Sequence, residues 1–172
     1  MKDLPDFTRA MDYENNFYLS CDSTRISKIL AHYELFKMTM DVPGAIVECG
    51  VFKGTSSARF AMFRELFGNT FSKRIIGFDV FGKFPETNFD ADQKLRAKFI
   101  ESAGHTGVSV EQMQKVLENK NCNRNLEFVA GDICKTLPKY FEDNPQLKIS
   151  LLNLDTDIYE PAVTILEHCW NR

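Results

Sequence analysis

Residues 45–79 alternate a short apolar run, a glycine turn, a helical pattern and a second short apolar run. The two runs, Ala45–Cys49 and Ile75–Asp79, have the length and composition of strands that are buried on both faces. Between them, Thr55–Phe67 places aromatic and aliphatic residues at helical spacing. A strand, a helix and a second strand in this order normally form a parallel β-α-β unit. The sequence therefore predicts an α/β fold.

Further elements extend this unit on both sides. Residues 23–40 carry apolar side chains every three or four positions, which predicts an amphipathic helix that begins at Ser23 or Thr24. A capping box at Ser109 opens another helix, which ends near residue 118. Two more strands are predicted at Leu126–Ala130 and 147–154, each followed by a helix, at 133–141 and 161–170. The last strand is the most apolar, so we expect it at the centre of the sheet.

Residues 81–106 are polar, irregular and too long for an ordinary connection. We interpret them as a lid or substrate loop with a short helix near 93–100. The length of 172 residues fits one domain, with an N-terminal helical region at 1–41 and an inserted loop and helix at 84–125.

Composition excludes several classes of protein. The net charge of −3 is not that of a nucleic-acid binder. The five cysteines contain no C-x-x-C pair, so neither a disulfide framework nor a zinc site is expected. The sequence contains neither a secretory signal nor an apolar run long enough for a membrane span. We therefore expect a soluble, cytoplasmic protein that does not bind nucleic acid.

The turn after the first predicted strand has the pattern Glu48-x-Gly50-x-x-x-Gly54. Glycines at this place allow the backbone to approach a ligand closely, and the N-terminus of the following helix offers free N–H groups to an anion. The pattern predicts a cofactor cradle. It departs from the dinucleotide fingerprint G-x-G-x-x-G, because Glu48 and Lys53 stand where glycines are required. This departure disfavours NAD.

Four segments in order carry a family resemblance: ECGVFKGTS at 48–56, GFDVFGKFP at 77–85, AGDICKTLP at 130–138 and LDTDIYE at 154–160. Together they resemble the class I S-adenosylmethionine-dependent methyltransferases, and most closely the macrocin O-methyltransferase family. The resemblance runs from about residue 42 to residue 167. It implies a Rossmann-like open parallel sheet with helices on both faces. It also implies magnesium-assisted methylation of a hydroxyl on a sugar or glycosylated small molecule.

The resemblance assigns the methionine part of the cofactor to the first turn. Glu48, Gly50 and Gly54 would shape its pocket, with Thr55 and Ser56 at the start of the helix. An ordinary structural explanation stays open for Glu48, because a carboxylate at a strand end can also cap a neighbouring helix.

The other implied roles fall after the later strands. Asp79 would accept hydrogen bonds from the ribose hydroxyls, and Gly131 with Asp132 would follow the adenine edge. Asp155 would bind Mg²⁺, and Asp157 would be the general base for the acceptor hydroxyl. Structural alternatives remain for these acids too. Asp79 could cap a helix, Asp132 could belong to an ordinary turn and helix start, and Asp155 or Asp157 could cap the last helix.

The family fold has seven strands, with further metal-binding aspartates beyond the fourth, and the sequence ends one helix after Asp157. We therefore expect a sheet that stops at its fourth strand, with an incomplete magnesium site. The fourth strand would then present an apolar edge that a second copy could cover in a homodimer.

Two alternative functions stay open. An Asp-x-Asp pair also occurs in metal-dependent glycosyltransferases, although that fold does not explain the glycine turn or Asp79. The chain could also be a cofactor-binding domain without turnover.

Overall fold

A computed structural model of the protein describes residues 3–87 and 89–172. After a single 3₁₀ turn at Phe7–Arg9, the chain alternates helices and strands. The elements, in chain order, are α1 (Ala10–Ser20), α2 (Ser23–Met38), β1 (Ala45–Cys49), α3 (Thr55–Phe67), β2 (Ile75–Asp79), α4 (Asp90–Ala103), α5 (Val110–Asn119), β3 (Leu126–Ala130), α6 (Ile133–Asp143), β4 (Ile149–Leu154) and α7 (Tyr159–Cys169).

The four strands form one parallel sheet in the order β3-β2-β1-β4. This confirms the expected open, Rossmann-like parallel sheet. The prediction that the last strand lies at the centre of the sheet is wrong, because β4 is an edge strand among the described residues. Its apolar composition has another cause. Leu151 packs into the core on one face of the sheet and Leu152 into the core on the other face.

Helices cover both faces of the sheet, and the strand residues divide between two cores. On one face, Ile46 packs with side chains of α2, α3 and α5. On the other, Val47 packs with side chains of α6 and α7. Successive residues of a strand point to opposite faces, so the alternation along β1 supplies both cores at once.

Most predicted elements are found, with shifts at their ends. α2 is capped by Asp22, whose side chain accepts from the Thr24 amide, one residue before the expected cap. The capping box of Ser109 and Gln112 is present. The helix in the expected lid is 14 residues long and therefore longer than the predicted 93–100. Within the described ranges, no helix is both long and apolar enough to cross a bilayer.

Arg64 of α3 is fully buried and ties two loops to the helix. Its guanidinium pairs with Glu65 and donates to backbone carbonyls at 2.8–3.2 Å, those of Lys73, Cys122, Arg124 and Asn125. A buried guanidinium is tolerated only when its donors are satisfied, and here backbone carbonyls satisfy them. The side chain thereby fixes the approaches to β2 and β3.

We expect Arg64→Met to lower the free energy of unfolding by about 3 kcal/mol, because several buried carbonyls lose their donor. Urea denaturation measures the change. Arg124→Met is the matched control, since the Arg124 side chain is exposed and only its carbonyl takes part in the contact. Equal losses in the two variants would contradict the role of the Arg64 side chain.

Candidate functional site

The carboxyl ends of β1, β2 and β4 meet at one edge of the sheet, and a cleft of about 50 Å³ lies there. Ligands of open parallel sheets bind at this edge. Four of the residues singled out in the sequence line the cleft together: Gly50, Asp79, Asp155 and Asp157.

Glu48, the last but one residue of β1, is completely buried beside this edge. It accepts from the hydroxyl of Ser57, and from the side-chain amide of Asn153 at 3.0 Å. Burial raises the pKa of Glu48 to about 7, although hydrogen bonds from Ser57, Ser56 and Asn153 oppose the shift. The carboxyl group thus joins β1 to both α3 and β4. The sequence does not indicate Ser57 or Asn153 as partners of Glu48. Asn153 reaches Glu48 only because β1 pairs with β4.

The two glycines of the first turn allow close approach of two different residues. Gly50 has φ +97°, and a Cβ at this position would overlap the carbonyl oxygen of Asp155. Gly54 has φ +76°, and a Cβ there would overlap the Met113 side chain. Gly54 and Thr55 do not line the cleft. They line a separate cavity of about 390 Å³ beneath the N-terminal segment.

Asp79 at the end of β2 holds the two turns that border the cleft. One carboxylate oxygen accepts from the Phe52 amide at 2.8 Å and the other from the Phe81 amide at 2.9 Å. Both phenylalanines have positive φ, 49° and 50°, a conformation that costs free energy for a bulky residue and is held by surrounding contacts. A carboxylate has about four acceptor sites, so a half-buried Asp79 can still accept from a ligand.

The residues after β3 lie next to this arrangement. The Gly131 amide donates to the Asp79 carbonyl at 2.9 Å. Asp132 is exposed and caps α6, accepting from the Cys134 amide at 3.0 Å. The helix-start explanation of Asp132 is therefore correct. The adenine role stays a prediction, and neither Gly131 nor Asp132 lines the small cleft.

The acids after β4 face α2. The Lys28 ammonium lies 2.8 Å from a carboxylate oxygen of Asp155, an ion pair that the sequence did not indicate. Asp157 has φ +59°, and burial together with Asp155 raises its pKa. The N-cap of α7 is Ile158, without a side-chain cap, so neither acid caps that helix.

The donor chemistry of Asp155 and Asp157 suits Mg²⁺, which prefers carboxylate oxygens and water. Within the described ranges, however, no group of three His, Cys, Asp or Glu side chains is placed to hold a metal ion. Two carboxylates by themselves do not complete the six-coordinate shell that Mg²⁺ requires.

The expected lid, α4 with the segment before it, contributes Phe84, Pro85 and Phe99 to the wall of the cleft. Asp92 is buried and accepts from the Tyr159 amide at the start of α7 at 2.7 Å, and Phe89 stacks on the Tyr159 ring. At the other end of α4, the Lys53 ammonium donates to the Ala103 carbonyl. Small-molecule sites usually have volumes of about 300–1,000 Å³. The cleft, at about 50 Å³, is smaller than such sites in this conformation.

Comparison with known proteins gives a family match over most of the chain. The family model described as Macrocin-O-methyltransferase (TylF) matches residues 10–172. A curated relative from Streptomyces olivaceus, 8-demethyl-8-(2,3-dimethoxy-alpha-L-rhamnosyl)-tetracenomycin-C 4'-O-methyltransferase, is 29% identical over 138 residues. That alignment covers 76% of this chain and 49% of the relative. The chain thus spans about half the length of this relative.

Solved structures of methyltransferases also match the chain. The crystal structure of CalS11, calicheamicin methyltransferase, matches with a TM-score of 0.75 and 29% identity, covering 99% of this chain and 67% of that one. The apo structure of CalS11, described as a TDP-rhamnose 3'-O-methyltransferase, has a TM-score of 0.60 and 25% identity, covering 97% and 65%. The O-methyltransferase NovP, at 20% identity and a TM-score of 0.66, covering 82% and 59%, supports the fold alone.

We expect Glu48→Gln to change how stability depends on pH. The raised pKa means that the folded protein holds a proton that the unfolded chain releases above its ordinary pKa of 4.5. The contribution of Glu48 to the free energy of unfolding is therefore fully present below pH 4.5. It falls by up to about 3 kcal/mol as the pH rises through about 7.

Urea denaturation of wild type and Glu48→Gln between pH 4.5 and 8 measures the effect as the difference between the two curves. The difference is needed because His32, whose pKa is lowered to about 4 by burial, contributes with the opposite sign between pH 4 and 6.5. Parallel curves would show that Glu48 does not retain the proton.

We expect Asp92→Ala to loosen the lid. Hydrogen exchange of the α4 amides, followed by mass spectrometry, should become about tenfold faster, because one charge-assisted hydrogen bond is lost. Asp90→Ala is the matched control. It removes an equivalent charge from the same first helical turn, at an exposed side chain. Equal acceleration in both variants would exclude the Asp92–Tyr159 contact as the tether.

Proposed function

The chain belongs to the macrocin O-methyltransferase family, and from this we propose that it transfers a methyl group from S-adenosylmethionine to a hydroxyl of a sugar-containing small molecule. The observation that carries the proposal is Asp79. Its carboxylate is fixed by two backbone amides at the carboxyl edge of a parallel sheet, beside the Gly50 turn. A carboxylate in this place is suited to the two hydroxyls of a ribose.

The acceptor class is inferred from relatives. The printed names of the Streptomyces olivaceus enzyme and of CalS11 both include rhamnose or a rhamnosyl group. We extend a sugar acceptor to this chain on that basis. The relatives and structural neighbours are methyltransferases, and no contact among the described residues favours the glycosyltransferase alternative.

Asp157 is proposed as the general base. Burial and the nearby Asp155 raise its pKa, which makes the carboxylate a better proton acceptor than an exposed aspartate. Asp157 would take the proton of the acceptor hydroxyl as the alcohol oxygen forms its bond to the methyl carbon. When bound, the cofactor supplies a sulfonium-activated methyl group, and its sulfur leaves as a neutral thioether.

Magnesium assistance belongs to the proposal as well. Asp155 would hold the ion together with ligands that residues 3–87 and 89–172 do not supply. A bound Mg²⁺ would lower the pKa of the acceptor hydroxyl. The Lys28 ammonium now pairs with Asp155, so the ion and Lys28 would compete for the same carboxylate.

We expect isothermal titration calorimetry to show binding of S-adenosylhomocysteine, and Asp79→Asn to weaken it about 10- to 100-fold through loss of a charged acceptor. Asp157→Asn is the contrasting variant. It should keep the wild-type affinity and lose methyl transfer from S-adenosylmethionine to a rhamnoside acceptor, followed by mass spectrometry.

Wild-type protein that releases no heat with S-adenosylhomocysteine would refute the cofactor assignment. Binding without transfer in the wild type would indicate a cofactor-binding domain without turnover.

A further inference from the structure

Three basic side chains lie together between α2 and α3, and the proposed reaction gives no role to two of them, His32 and Arg59. Lys28 and His32 come from one face of α2, one turn apart, and Arg59 comes from α3. We call them the α2–α3 cluster. Two acids of the candidate site are its electrostatic neighbours. Asp155 is paired with Lys28 and acts on His32, and Glu48 acts on Arg59.

His32 fixes the position of Arg59. An Arg59 terminal nitrogen (Nη1) lies 3.0 Å from His32 Nδ1. A guanidinium cannot accept a hydrogen bond, so Nδ1 is the acceptor and the imidazole is neutral. Burial and the charges of Arg59 and Lys28 agree with this, since they lower the pKa of His32 to about 4. The ring is itself held by stacking on Phe60, with centroids 4.9 Å apart.

The Arg59 guanidinium forms no ion pair among the described residues. The side chain is partly buried, and no carboxylate among the described residues lies within ion-pair distance of it. Lys28 differs, because Asp155 already neutralises it. Removing a charged group from water is unfavourable unless a counter-charge compensates it. An oriented, partly desolvated guanidinium is a binding group for a carboxylate.

We propose that Arg59, oriented by His32, binds the α-carboxylate of the methionine moiety of the cofactor. This inference rests on the proposed function. Ser56, assigned to the methionine part of the cofactor, lies one helical turn before Arg59 and contributes to the hydrogen bonding of Glu48. The methionine end is a zwitterion, so its carboxylate requires a cationic partner, which the Arg59 guanidinium can supply. His32 acts as a positioning residue and does not contact the ligand.

Two ligands separate recognition of the carboxylate from recognition of the nucleoside. S-adenosylhomocysteine carries the amino-acid group, whereas 5'-methylthioadenosine has the same nucleoside and a thioether sulfur without it. In Arg59→Met, we expect the dissociation constant of S-adenosylhomocysteine to rise about 10- to 100-fold and that of 5'-methylthioadenosine to stay within about twofold. Arg59→Lys should recover part of the loss, because it restores the charge without the planar fork.

Arg74→Met is the matched control. Arg74 precedes β2, so it lies at the amino ends of the strands, away from the carboxyl ends where the candidate site lies, and it pairs with Glu127. It should change neither affinity. Equal weakening of both ligands in Arg59→Met would show a structural role and overturn the assignment, as would unchanged binding of S-adenosylhomocysteine. If the wild type binds neither ligand, the proposed function fails first. If it binds both and Arg59→Met does not discriminate, only the Arg59 assignment fails.

Discussion

The close contact between Gly50 and the backbone of Asp155 holds the candidate site together. The Asp155 amide donates to the Cys49 carbonyl at 2.9 Å, and the space next to Gly50 is filled by the Asp155 carbonyl. Any side chain at position 50 would push the end of β4 away from the turn after β1. The distances from Asp155 to Lys28 and from Asn153 to Glu48 depend on this contact, because both residues lie at that end of β4.

Charge is distributed unevenly around this contact. Glu48, Asp155 and Asp157 bring three acids to the ends of two neighbouring strands, and desolvation raises the pKa of Glu48 and Asp157. The neighbouring helices supply the compensation, through Lys28 of α2 and the hydroxyls at the start of α3. Such an arrangement favours a ligand that carries both signs of charge, and the sulfonium amino acid of the proposed cofactor does so.

The order of elements could be predicted from the sequence, and so could four residues that line the cleft, Gly50, Asp79, Asp155 and Asp157. Strands β1, β2 and β3 follow from apolar runs, and Asp79 follows from its place at a strand end, where a parallel sheet exposes its ligand-binding edge. The apolar composition of β4 did not reveal its edge position, because an apolar strand covered by helices on both faces has the same composition at the centre or at the edge. The family resemblance, with a sheet that stops at the fourth strand, did predict an edge there. Arg64 was missed because a lone arginine in an amphipathic helix looks exposed.

The sequence by itself determined the chemistry at the strand ends and its order, since alternation, glycine spacing and acid placement are local properties. Only the tertiary structure decided which side chains contact one another at the site. Lys28 and Asp155 are 127 residues apart, and Glu48 and Asn153 are 105 residues apart. Arg59 on α3 contacts His32 on α2. Such contacts depend on the strand order and on the docking of α2. Both arise from burial of apolar surface over the whole chain, which no short motif encodes.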